Sequence, residues 1–232
     1  MDTIEIQRVV EIEDDNWWYR ERREILAREL RRMGTPGHAV DIGAAGGGNT
    51  RVLLDHGWRA TAIDNTETAV DLCLSQGMDA YHADACFLPL PSGSYDLALA
   101  LNVLEHIEDD AAATAEITRV LRPGGTALVS VPCDMRLWSA HDVALGRVRR
   151  YTRRALTDTL ATAGLALDRV WSRNVLLRPV VRLRRHRMAR EDMAHVHPAL
   201  NEGLSMLAAF ERRLPLKSWP GVTLFARAHR PA

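Results

Sequence analysis

Net charge is missing from this chain: thirty Lys and Arg side chains meet thirty Asp and Glu, so the formal charge is zero with histidine neutral. Nothing global therefore directs it to nucleic acid, and no nucleic-acid partner is expected. Cysteine is scarce as well. Cys73, Cys86 and Cys133 have neither metal-ligand nor disulfide spacing, so no metal site is expected and a reducing cytoplasm is the compartment that fits. His195 and His197 add two imidazoles without a third ligand, too few for zinc. No run of eighteen apolar residues exists, so no membrane span is expected. The start, Met-Asp-Thr-Ile-Glu, lacks a basic stretch followed by an apolar one, so no signal peptide is expected.

Two further absences fall inside the most informative stretch, Ala39–Thr50 (AVDIGAAGGGNT). A short apolar run carrying Asp41 leads into Gly43-Ala44-Ala45-Gly46-Gly47-Gly48, and Asn49 or Thr50 can cap the helix that follows. Strand, glycine loop and helix make the first unit of a doubly wound α/β domain. The loop lacks the lysine of a Walker A sequence and the second glycine of G-x-G-x-x-G. Those gaps argue against a mononucleotide triphosphate and a nicotinamide dinucleotide. Four glycines in six residues still call for a close backbone approach to a ligand.

The 232 residues fit one α/β domain with additions. Residues 16–33 read as a helix, with Trp18, Ile25, Leu26, Leu30 and Met33 at helical spacing and Glu21, Arg22, Arg28 and Arg32 on polar faces. Strands are expected at 39–42, 59–64, 80–83, 95–101, 126–131, 165–171 and 221–228. Helices are expected after Thr50, over 66–76, 109–121, from Thr152 to Gly164, and over 198–213. Arg122-Pro-Gly-Gly125 should break the chain between helix and strand. Tyr95–Leu101 is apolar throughout except Asp96, as a strand buried on both faces requires.

Asp41, Asp64 and Asp84 are spaced by about one strand-helix repeat, which places each near the carboxyl end of a successive parallel strand. Right-handed crossovers bring those ends to one rim, where ligands bind such sheets. Three carboxylates there suit a ligand rich in hydroxyl and amino groups. The alternative for Asp64 and Asp84 is a turn or capping role.

Four blocks, VDIGAAGGG (40–48), AID (62–64), HADACFLPLPSGSYDLALALNVLEHI (82–107) and RVLRPGGTALVSVP (119–132), occur in order. With these the chain resembles the class I S-adenosylmethionine-dependent methyltransferases, in their small-molecule branch, over roughly residues 38–171. The resemblance implies a Rossmann-like, doubly wound α/β fold: a seven-stranded, mostly parallel sheet whose last strand is antiparallel. It implies one domain, made of an N-terminal helical cap (1–37), a cofactor-binding core (38–171), a helical insertion (172–218) and the last strand (219–232). It implies S-adenosyl-L-methionine as cofactor and S-adenosyl-L-homocysteine as product. Asp41 and the backbone of Gly43, Ala45 and Gly47 would hold the methionine end. Asp64, with Asn65 beside it, would accept from the ribose hydroxyls. Asp84 would accept from the adenine amino group, with Ala85 beside the ring, and Asn102 would line the site near the sulfonium. The family commonly has glycine where Ala45 stands.

Arg136–Tyr151 resembles a segment found in a bacterial subset of these enzymes, which usually has histidine where Arg147 stands. That subset shares the aromatic start at Trp17–Arg20. The resemblance implies methyl transfer to an oxygen or nitrogen of a small-molecule or peptide-like acceptor, with bacterial secondary metabolism as a setting. A hydroxyl acceptor needs a base poised near neutrality. His141, in the segment expected beside the acceptor, is the first candidate and His106 the second; the alternative for each is a surface or capping histidine. Trp17, Tyr19, Arg147 and Tyr151 are candidate acceptor contacts, and Trp17 and Tyr19 equally suit packing. The arginine-rich stretch 173–190 reads as a helix capping the pocket. A docking helix of a lipid or quinone methyltransferase on a membrane surface is the less favoured reading. A nicotinamide-dependent reductase and a non-catalytic cofactor-binding subunit are the remaining alternatives; cofactor fluorescence and absence of turnover would mark them.

Overall fold

The structure, a computed structural model, describes residues 11–184 and 197–232. The expectations for residues 1–10, for the arginines beyond 184 and for His195 lie outside the described residues. The elements are α1 (Trp17–Met33), β1 (His38–Ile42), α2 (Gly48–Asp55), β2 (Arg59–Asp64), α3 (Glu67–Ser75), β3 (Asp79–His82), β4 (Tyr95–Leu101), α4 (Asp110–Val120), β5 (Leu121–Pro132), α5 (Ala140–Ala144), α6 (Arg153–Thr162), β6 (Ala166–Arg173), α7 (Arg178–Arg184), α8 (Pro198–Glu211) and β7 (Thr223–His229).

The seven strands form one sheet in the order β3-β2-β1-β4-β5-β7-β6. Strands β1 to β5 pair in parallel, and β7 runs antiparallel between β5 and β6. The order reverses between β1 and β4, so a crevice opens outside their carboxyl ends. Strand β4 shows why both faces are apolar. Ala98 and Ala100 point into a cluster with Ile117 and Val120 of α4 and Leu156 and Leu160 of α6. Leu97, Leu99 and Leu101 point into the opposite cluster with Ile25, Leu26 and Leu30 of α1 and Leu53 of α2. Each fully buried leucine there contributes about 2 kcal/mol of transfer free energy.

Two local expectations change. Helix α2 begins at Gly48 behind a left-handed Gly47, with no side-chain cap. Thr50 is therefore inside the helix, and its hydroxyl donates to Asp41 Oδ2 at 2.7 Å. Strand β5 starts at Leu121, which pairs with Tyr95 across an irregularity before the regular register resumes at Leu97↔Thr126. The Arg-Pro-Gly-Gly sequence is a bulge within the strand's span, because the Gly124 N–H reaches the Arg230 carbonyl and the Arg230 N–H returns to Gly125.

Candidate active site

Four non-glycine residues adopt positive φ: Ala45 (49°), Asn102 (63°), Asp134 (68°) and Asn174 (59°). Each lies within three residues of the carboxyl end of a different strand, β1, β4, β5 and β6. Left-handed backbone costs about 1 kcal/mol at a residue with a Cβ, and such costs gather where a fold serves a site. All four belong to the rim that the sheet's reversal opens.

The glycine loop folds back over β2. The N–H groups of Gly43 and Ala44 both donate to the Ile63 carbonyl, at 2.8 and 3.0 Å. Glycine is obligatory at 43: φ is 74°, and a Cβ would stand 2.5 Å from Val103 Cγ2. It is equally so at 47, where φ is 84° and a Cβ would meet Met78 Sδ at 2.7 Å. Ala45 adopts the same left-handed backbone with a Cβ in place, a conformation that glycine takes at less cost.

Asp41 is 0% exposed. Its Oδ2 takes the Thr50 hydroxyl, while Oδ1 has no hydrogen-bond partner. Burial pushes its pKa up to about 6, against the opposing pull of the Thr50 hydrogen bond and of Arg22. Asp64 ends β2 and is also buried; it accepts from the Ala45 N–H at 2.9 Å and the Thr66 N–H at 3.0 Å. A carboxylate has about four acceptor positions, so Asp64 fixes the loop and keeps capacity for a ligand. Asp84 is exposed just past β3 and accepts from the Cys86 N–H at 2.8 Å. Both the ligand and the turn readings of these two acids are thus compatible with their geometry. Asn65 is exposed beside Asp64, and Ala85 is half-buried beside Asp84.

Asn102 is held by its own strand ends. Its amide donates to Glu105 Oε1 at 3.0 Å, and its carbonyl accepts from Ser130 Oγ at 3.2 Å. It lines a small, partly open cleft together with Trp18, Glu21, Arg22, Ile25, Arg173, Asn174, Thr223 and Phe225. Trp18 thus faces the cleft, with Trp17 edge-on to it. The backbone N–H of Trp17 donates to Asn201 Oδ1 of α8 at 2.9 Å, and Tyr19 lies under the Arg22 guanidinium, 5.0 Å from ring centroid to carbon.

The other acceptor candidates lie elsewhere. Tyr151 is buried; its hydroxyl donates to Asp110 Oδ2 at 2.5 Å and reaches no cleft-lining residue. Arg147 donates to Asp142 Oδ1 at 2.9 Å and stands 3.8 Å from Glu105 Oε1. Asp142 also receives Arg150, so that carboxylate is committed to arginine. His141, in α5, is half-buried; burial and then Arg147 hold its pKa below the usual imidazole range. His106 is exposed in the short turn Leu104–His106 with Nδ1 3.3 Å from the Gly146 carbonyl, and partial desolvation lowers its pKa too. Neither histidine lines the cleft.

Helix α1 supplies what the sequence pattern did not foresee. Glu21 and Arg22 occupied expected solvent faces. Glu21 is buried and receives Arg173 at 2.9 Å and Arg212, from 152 and 191 residues away. Glu13, just before α1, is also buried, with Oε2 over the start of α2 at Gly48 and its carbonyl taking Arg23 at 2.6 Å. No local signal marks either carboxylate, because the partners are distant in the chain.

Comparison with known proteins gives the family and the fold. The methyltransferase domain family matches residues 40–129. A probable S-adenosylmethionine-dependent methyltransferase of Mycolicibacterium smegmatis is 30% identical over 159 residues, covering 67% of this chain and 62% of that protein. The chain spans about three fifths of the curated relatives it matches, since two from Mycobacterium tuberculosis are covered to 58%. Among solved structures, an S-adenosylmethionine-dependent methyltransferase from Mesorhizobium loti has a TM-score of 0.61 at 20% identity, covering 88% of this chain and 96% of that one. The [4+2]-cyclase SpnF has a TM-score of 0.61 at 21% identity, covering 89% and 80%. At these identities the structural likeness establishes the fold.

Proposed function

The core of this chain is a methyltransferase domain of the S-adenosylmethionine-dependent, class I kind, and on that premise we propose that the protein methylates an oxygen or nitrogen of a small-molecule or peptide-like acceptor. The observation that carries this reading is the unpaired Oδ1 of the buried Asp41 beside a glycine loop whose next strand ends in Asp64. An orphaned, desolvated carboxylate oxygen is costly unless a cation completes it. The ammonium of an amino-acid moiety meets that need, and a ribose diol suits the remaining acceptor positions of Asp64. Asp84 and the Ala85 backbone, just past β3, are our candidates to receive the adenine.

Held by Asp41, the glycine loop and Asp64, S-adenosylmethionine would supply the methyl group and leave as the neutral thioether S-adenosylhomocysteine. The chain's share of the work is positioning and water exclusion. Asn102 is locked by Glu105 and Ser130, so the wall it forms is rigid. Trp18 and Ile25 of α1 close the cleft on its apolar side. A neutral amine acceptor can attack directly and release its proton to solvent afterwards, so it needs no protein base. For a hydroxyl acceptor His141 is our candidate base; it lies outside the Asn102 cleft, in the segment that follows β5, and burial with Arg147 lowers its pKa, which leaves it neutral at pH 7.

A cytoplasmic setting in bacterial natural-product biosynthesis goes with this proposal, supported by the two buried free thiols Cys73 and Cys133. A membrane-docking variant rests on exposed Val180 and Leu183 in α7; flotation with anionic liposomes tests it. Because a cyclase shares the fold, the decisive assay is S-adenosylhomocysteine release with a panel of hydroxyl and amino acceptors. Release above the acceptor-free rate supports transfer. Binding without release from any acceptor contradicts it and favours a non-catalytic role.

A further inference from the structure

Ala45 holds a left-handed backbone at φ 49° although it carries a Cβ. Glycine adopts that conformation freely, and a residue with a Cβ does so only against a steric cost. The two peptide groups that set the φ and ψ of Ala45 are both tied. On the first, the Ala45 N–H donates to Asp64 Oδ2 at 2.9 Å, and the Ala44 carbonyl accepts from the Gly47 N–H at 2.9 Å. On the second, the Ala45 carbonyl accepts from the Cys73 thiol, with sulfur 3.6 Å from oxygen. One peptide further on, the Gly46 carbonyl accepts from Gln76 Nε2 at 3.1 Å.

Cys73 and Gln76 both come from the carboxyl end of α3. They are three residues apart, so they share one face of the helix. Cys73 is 1% exposed and packs with Ala44 and Met78. Burial pushes its pKa up to about 12, so the sulfur keeps its proton at neutral pH and acts as a donor. Gln76 lies at the surface, but its amide is aimed from two sides. Nε2 also donates to the Leu72 carbonyl at 3.1 Å, and Oε1 accepts from Arg51 of α2. The Arg51 N–H in turn donates to the Gly47 carbonyl at 2.8 Å. Helix α3 therefore grips two successive carbonyls of the glycine loop, and α2 braces the grip.

We propose that Cys73 and Gln76 are positioning residues for the cofactor, clamping the glycine loop so that Ala45 stays in the left-handed conformation that receives the amino-acid end. This rests on the methyltransferase reading. Without the clamp Ala45 relaxes to a right-handed or extended backbone, and a ligand that needs the left-handed loop must restore it. Apparent affinity then falls with the fraction of molecules whose loop is competent. Glycine at position 45 removes the cost of the left-handed state, so the dependence on Cys73 and Gln76 comes from the alanine itself.

The test is a mutant cycle on the full chain. Cys73→Ala with Gln76→Met removes the clamp, in the parent and in the Ala45→Gly background, and circular dichroism checks that each protein folds. Gln76→Met alone, at the surface, is the milder variant. Calorimetry with S-adenosylhomocysteine reads the effect. In the parent, removing the clamp should weaken binding by roughly 5- to 30-fold, the equilibrium constant that the left-handed cost of a Cβ corresponds to. In the Ala45→Gly background the same pair should cost about twofold or less. Gln76→Met alone should show the same contrast at roughly 2- to 5-fold. A purely structural role for α3 would weaken binding equally in both backgrounds, and that result, or no loss in the parent, overturns the proposal. Wild-type protein that binds neither S-adenosylmethionine nor S-adenosylhomocysteine would sink the methyltransferase reading instead. Urea denaturation would then still decide the clamp. Its removal should lower the midpoint more in Ala45→Gly than in the parent, because only the parent recovers backbone strain on relaxing; equal shifts overturn the clamp.

Discussion

Asp41→Asn is the substitution that most sharply separates stability from function. The carboxyl is fully buried, and burial raises its pKa from 3.8 to about 6. A folded-state pKa above the unfolded value stabilises the protein at pH below the unfolded value, and that stability is lost as pH rises through the folded one. The corresponding free energy is about 2.4 kcal/mol between pH 4 and pH 7. Asparagine cannot ionise and so escapes this loss. It keeps the acceptor for Thr50 but replaces the orphaned Oδ1 by an amide without an acceptor, at a cost of about 1 to 2 kcal/mol. The ligand-free variant should thus be less stable than wild type near pH 4 and more stable near pH 7, by about 1 to 2 kcal/mol, or several degrees in Tm. Urea denaturation at several pH values reads the crossover. Saturating S-adenosylhomocysteine should reverse the order at pH 7, because it stabilises only the protein that binds it well. A gap between the two proteins that stays constant with pH would refute the burial argument.

Three other perturbations follow from the same geometry. Gly43→Ala places a Cβ against Val103 at φ 74° and should cost roughly 2 to 4 kcal/mol in chemical denaturation; adding Val103→Ala should recover only the steric part, and full recovery would mean that the backbone conformation is not strained. Arg173→Met leaves Glu21 to Arg212 alone and should destabilise by roughly 3 kcal/mol, seen as a lower Tm; an unchanged Tm would show that the buried pair is dispensable. For a hydroxyl acceptor, His141→Ala should lower kcat/KM by roughly 100-fold or more and erase the acid limb of the pH profile, whereas unchanged turnover at every pH removes His141 from that role.

The parallel core was legible because hydrophobic runs, glycine breaks and the spacing of Asp41, Asp64 and Asp84 are local signals with one packing solution. The ends of the elements were less so. Thr50 fits the pattern of a cap, but Gly47 in the left-handed region starts α2 earlier and frees the hydroxyl for Asp41. The Arg-Pro-Gly-Gly sequence reads as a break, yet Tyr95 and Arg230 hold it within β5 by contacts from remote positions. The candidate site shows the same division. The rim acids sit at or just past strand ends as their spacing implies, and Asn102 follows β4, where the family resemblance put it. Glu21 and Arg22 look alike as polar helix residues, but only tertiary contacts bury one among arginines and leave the other unpaired beside the cleft. Tyr151 carries no sequence mark of its bond to Asp110, 41 residues away.

The most direct measurement is calorimetric titration of the purified chain with S-adenosylmethionine and S-adenosylhomocysteine, beside Asp64→Ala and Asp84→Ala. The account predicts binding of both ligands by wild type, weakened roughly 10-fold or more in each variant, with Asp64→Ala the worse because that carboxylate also holds the Ala45 and Thr66 N–H groups. Absence of binding to either ligand by folded wild-type protein, or affinity untouched by both substitutions, would contradict it.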